Sequence, residues 1–156
     1  MFLRFLIIFE GEKICEKALA YSRELALRMD SEVTLLGLVE MDFKQKTQLE
    51  SRRKTISSIK NQVGKALSGL SSEFVKIGIS VSVAIRVGDP AEELLKFLAE
   101  RTPFQTIIWG STEEPPDSQS GARNHWIKRV TDKLECPIFT VKAKGNGISG
   151  ETPGRS

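Results

Sequence analysis

The chain has 156 residues, enough for one domain with a substantial core. It is 40% hydrophobic and 28% charged, the balance of a soluble globular protein, and no apolar run approaches bilayer-spanning length. The net charge of +3 is too small to imply nucleic acid without a clustered basic patch, and the densest basic run, Arg52-Arg53-Lys54, reads as a solvated helix face.

Strands and helices alternate along the sequence. Residues 3–9 read as a continuous apolar strand. The segment lacks a basic region ahead of it and a small-residue cleavage site behind it, and Glu10 and Glu12 follow at once, so it reads as a buried strand and not as a signal peptide. Residues 12–29 carry Cys15, Ala18, Leu19, Ser22, Leu25, Ala26 and Met29 at helical spacing, a stripe that faces inward. Residues 32–39 form a second strand, rich in β-formers. A long helix from about 45 to 76 turns Leu49, Ile56, Ile59, Val63, Leu67, Leu70 and Phe74 to one side, with Gly64 and Gly69 weakening its second half.

Residues 79–87 alternate with period two, as an edge strand with one drier and one wetter face. Gly88 ends it. Asp89-Pro90-Ala91-Glu92 then opens a helix: Asp89 caps, Pro90 suits the first helical position and Glu92 closes a capping box. Leu94, Leu95, Leu98 and Ala99 face inward. Residues 106–109 form a fourth strand and 137–141 a fifth. Between them, a last helix over 123–134 points Trp126, Ile127, Val130 and Leu134 inward. The expected domain covers residues 1–143. The tail, 144–156, is rich in Gly and polar residues and is expected to be disordered.

Five strands joined by helices imply an α/β fold: a single open five-stranded parallel sheet, flavodoxin- or Rossmann-like, with helices on both faces. Ligands in such sheets bind at the carboxyl ends of strands, where the strand order reverses. Glu10-Gly11 and Gly110-Ser111 carry the right punctuation. The loop after Ser111 does not suit phosphate. Phosphate cradles need glycines, free N–H groups and positive potential. Here stand Glu113, Glu114, Pro115, Pro116 and Asp117. These carboxylates read as exposed loop charges; with Glu10, a Mg²⁺ or Ca²⁺ site is the alternative.

His125, the only histidine, reads as a polar residue of a helix start, with a ligand contact or a general base as alternatives. Arg123 would offset part of the loop's negative charge. Cys15 and Cys136 lie far apart, outside any C-x-x-C, and read as buried thiols of a reducing cytosol. No nucleophile, base and acid assemble, and none of the common nucleotide, zinc-protease or hydrolase motifs occurs.

The chain resembles the universal stress protein family over nearly all of residues 3–142. The resemblance is carried, in order, by Glu10-Gly11 after the first strand, Glu16-Lys17-Ala18-Leu19, Val33-Thr34-Leu35-Leu36, Val87-Gly88-Asp89-Pro90, Ile107-Ile108-Trp109-Gly110-Ser111 and Cys136-Pro137-Ile138-Phe139-Thr140-Val141. It implies a small cytoplasmic protein on the scaffold of the adenine nucleotide α-hydrolases, commonly homodimeric, acting in stress survival and regulation. One branch of the family binds ATP through G-x2-G-x9-G-[ST]. Gly110 matches the first glycine. The second falls on Glu113 or Glu114, the third on Asn124, and the hydroxyl on His125. The first-strand acid, Asp in nucleotide-binding members, is Glu10.

The expectation is therefore a non-enzymatic, dimeric regulatory or interaction module with an unidentified protein partner, contacting neither nucleic acid nor membrane. No cofactor is expected, and ATP or AMP would bind weakly. A vestigial nucleotide pocket would comprise Glu10, Gly11, Leu38, Gly110, Ser111, Arg123 and His125. Pro137, Ile138, Phe139, Thr140 and Val141 would form the dimer edge. An ATP- or AMP-binding sensor with a remodelled loop is the runner-up, and a nucleotide hydrolase or transferase the third class.

Overall fold

The computed structural model describes residues 3–41, 49–112, 126–130, 133–134 and 137–140. Five strands run β1 Leu3–Glu10, β2 Ser31–Glu40, β3 Ser80–Gly88, β4 Thr106–Trp109 and β5 Ile138–Phe139. The α-helices among the described residues are α1 Glu16–Arg28, α2 Leu49–Lys76 and α3 Pro90–Ala99, and a 3-10 turn spans Trp126–Arg129. All neighbouring strands pair in parallel, in the order β3-β2-β1-β4-β5. The expected doubly wound α/β sheet is what forms, with β3 at an edge.

β1 is central because its residues are apolar on both sides, as parallel strands covered on two faces require. Phe5, Ile7 and Phe9 meet Leu19 and Ala26 of α1 and Val63, Leu67, Leu70 and Phe74 of α2. Leu6 and Ile8 meet Ala91, Leu94 and Phe97 of α3, together with Trp109, Trp126, Ile127 and Val130. Chain order reverses between β1 and β4, with Phe5 opposite Thr106 and Ile8 opposite Trp109. This switch point places the crevice.

Helix starts obey local chemistry. The Asp89 carboxylate accepts the Glu92 N–H at 3.1 Å, and Pro90 occupies the first turn of α3. α1 starts later than its apolar stripe, because residues 11–15 form the turn out of β1. α2 runs unbroken through Gly64 and Gly69. At Gly64 the helix lies close to β3, where an added Cβ would stand 3.4 Å from Ile85 Cδ1.

Three expectations are corrected. The last helix is not a regular α-helix in its described part: Trp126–Arg129 is a 3-10 turn, and Val130 and Lys133 donate to carbonyls three residues back. β5 is two residues long, not five; Thr140 is buried beyond its end. Met29 is 42% exposed and Ala99 is exposed, so neither joins the core, while Phe97, left out of the α3 stripe, is fully buried. Met29 lies beyond the last turn of α1, where helical periodicity no longer sets its direction. Glu113, Glu114, Pro115, Pro116, Asp117, Arg123, His125, Cys136, Val141 and the tail 144–156 lie outside the described residues.

Candidate functional site

The switch-point crevice is built from the turn after β1 and the end of β4. Gly11 adopts φ +61°, which lets the chain leave β1 sharply, and its N–H donates to the Leu38 carbonyl at 2.9 Å. The Leu38 side chain is buried in the α3-side core, so only its backbone reaches the crevice.

Gly110 and Ser111 tie the two loops together. The Gly110 N–H donates to the Ile8 carbonyl and its carbonyl accepts from the Cys15 N–H, both at 2.8 Å. A Cβ on Gly110 would stand 2.7 Å from Phe9 Cε1 and 2.8 Å from Ile7 Cγ2, and both of those side chains are fully buried. Ser111 Oγ accepts the Glu10 N–H at 2.7 Å and donates to the Lys13 carbonyl at 2.6 Å. The hydroxyl is thus a two-way staple between strand end and turn, with its one proton committed.

The tryptophans close the same end. Trp126 Nε1 donates to Glu10 Oε2 at 3.1 Å, and Trp109 Nε1 donates to Thr112 Oγ1 at 2.9 Å. The two indoles pack with centroids 6.1 Å apart at 55°. Trp126 is 5% exposed, so burial places its obligatory donor against the carboxylate at the end of β1.

Beside them Arg129 Nη2 meets Asp89 Oδ1 at 2.8 Å. The hydrogen bond from Arg129 holds the Asp89 carboxyl below its ordinary range, against burial and helped by the Glu92 N–H. The Arg129 guanidinium is pushed up, first by its hydrogen bond to Asp89, with Glu40 and Glu92 adding to its field. Glu10, Glu40 and Asp89 thus make the carboxyl ends of β1, β2 and β3 acidic, and Arg129 answers part of that charge.

Five residues expected at the site are placed. Glu10, Gly11, the Leu38 backbone, Gly110 and Ser111 converge at the switch point; Arg123 and His125 lie outside the described residues. Trp126 was expected only as core, and the Asp89–Arg129 pair was not expected at all. An indole N–H needs a partner when buried, which was the one available signal for Trp126. No spacing rule links Asp89 to Arg129, 40 residues away. Among the described residues no cluster of three potential metal ligands occurs. No described helix is long and apolar enough to cross a membrane.

No family model matches the sequence, and no curated protein matches it. Solved structures do match in shape. The universal stress protein UspA of Lactobacillus plantarum superposes with a TM-score of 0.65 at 14% identity, over 90% of this chain and 97% of that one. A universal stress protein family structure from Burkholderia pseudomallei gives 0.62 at 15%, over 90% and 96%. One from Arabidopsis thaliana, with AMP bound, gives 0.59 at 18%, over 98% and 97%. At such identities the likeness is one of architecture: the chain has the universal stress protein fold.

Proposed function

We propose that this protein is a universal stress-type binding module, non-enzymatic, cytoplasmic and homodimeric through β5, with little or no affinity for ATP. The observation that carries the reading is the occupied switch point. The crevice that would take a nucleotide is tied by Gly110 and Ser111, and the Trp126 indole holds the Glu10 carboxylate. The acidic strand ends add repulsion where a triphosphate would approach, and the sequence 113–117, with three carboxylates and two prolines, lacks the composition of a phosphate cradle.

A second reading is favoured by the AMP held in the Arabidopsis structure: a nucleotide sensor with a substituted phosphate grip. Isothermal titration with adenosine, AMP and Mg–ATP separates the two. Under the first reading ATP binds with a Kd above about 0.1 mM, weaker than about −5.5 kcal/mol, and adenosine binds no worse than ATP. Micromolar ATP affinity establishes the second reading instead.

A further inference from the structure

The edge of the sheet opposite β5 is β3, and no other described strand covers it. Among the described residues β3 pairs only with β2, along its whole length from Ser80 to Gly88. Exposed edges are normally blunted by lysine, proline or a bulge. β3 contains neither lysine nor proline, and its one charged residue is Arg86.

The helix above this edge is strongly basic. Residues 51–72 hold Arg52, Arg53, Lys54, Lys60 and Lys65 and no Asp or Glu. Arg53, Lys54, Lys60 and Lys65 are exposed. Lys60, Asn61, Gly64, Lys65 and Ser68 of α2 line, with Val83 of β3, an open groove of about 480 Å³. Gly64 leaves the notch, Val83 is 36% exposed in it, and the two lysines flank it. Neither lysine has an ion-pair partner among the described residues. Glu12 lines an adjoining hollow that Lys65 shares.

We infer that the β3 edge and the α2 lysines form a docking site for an acidic extended segment of a partner protein, added as a sixth strand. The backbone of the segment would continue the β3 ladder, and its carboxylates, on every second residue, would face Lys60 and Lys65. A second copy of this chain fits poorly. Antiparallel β3–β3 pairing sets both α2 helices on one face of the joined sheet and brings their basic surfaces together. The charge therefore selects a partner of opposite sign. This deepens the binding-module reading and rests on it. The nucleotide titration and the experiment below fail independently.

The probe is a blocked peptide of about eight residues alternating valine and glutamate, the length of one strand. Fluorescence anisotropy reads affinity, and amide hydrogen exchange reads the site. The expected result is binding with slowed exchange at alternate amides within Ser80–Gly88. Lysine in place of glutamate in the peptide, or Lys60→Glu with Lys65→Glu in the protein, should weaken it at least tenfold, about 1.4 kcal/mol. Both lysines are exposed, so the double variant should keep its circular dichroism spectrum. Unchanged β3 exchange overturns the proposal. So does equal binding of a peptide with its glutamates gathered at one end, which marks charge attraction alone. Tighter, lysine-dependent binding of a thymidine oligonucleotide or of phosphatidylserine vesicles assigns the face to another class of partner and also overturns it.

Discussion

The Ser111 hydroxyl joins two segments of the crevice. Ser111→Ala leaves the Glu10 N–H and the Lys13 carbonyl without their shared partner in a part-buried position. The expected cost is about 2–3 kcal/mol of unfolding free energy, measured by urea denaturation. Gly110→Ala drives a methyl into two fully buried side chains and should cost about 1–3 kcal/mol by the same measurement. Near-neutral behaviour of either variant would show that the two loops are not fixed as described. Asp89 works through charge. Its folded carboxyl titrates below the ordinary 3.8, so its contribution is complete above about pH 5 and is lost as pH falls through the lowered folded value. Asp89→Ala removes both cap and ion pair and should cost about 1–2 kcal/mol at neutral pH. Asp89→Asn keeps a capping oxygen and should cost less. Stability measured from pH 7 to 2.5 should show the Asp89→Ala deficit shrinking in acid; a deficit independent of pH would rule out the charged contribution. Gly110 and Ser111 were legible in the sequence as strand-end punctuation. The switch-point rule also brought Glu10 beside them, but the hydrogen bond that joins Ser111 to the Glu10 N–H, 101 residues away, was not legible, since no local rule sets it.

Among the elements, legibility followed locality. α3 was readable because its start is set within four residues, by Asp89, Pro90 and Glu92. β1 and β2 were readable because buried parallel strands need unbroken apolar runs. The segment after residue 125 reads as an α-helix because its inward residues sit at helical spacing, while its local bonds are of the tighter three-residue kind. Residues 137–141 read as a longer strand than β5 because an apolar stretch marks burial and not pairing. Its two paired residues, Ile138 and Phe139, are half-buried and end the sheet on the β4 side. The proposed homodimer joins there. Thr140→Pro should raise the dimer dissociation constant, read by sedimentation under conditions where circular dichroism shows the variant folded. A monomer at micromolar concentration in the unmutated protein would exclude that interface.

At the scale of the whole molecule, the alternation of strand and helix was enough for the doubly wound sheet, and the right-handed crossover rule placed helices on both faces. The acidic carboxyl edge emerges only here, since Glu10, Glu40 and Asp89 come from three separate strand ends. The order of the strands also bears on how the protein is made. β1, synthesised first, is the middle of the sheet, and its second partner is β4, which begins opposite Phe5 at Thr106. Ribosomes add about 5–20 residues per second, so one side of β1 waits about 5–20 seconds for that partner. During that interval β1 to β3 can assemble from the emerged chain, leaving Leu6 and Ile8 without Ile107 and Trp109 beside them. The nascent chain is then most vulnerable to aggregation just before β4 arrives, and ribosome-bound chains halted once residue 100 has emerged should recruit holdase chaperones that chains with β4 and β5 also emerged release.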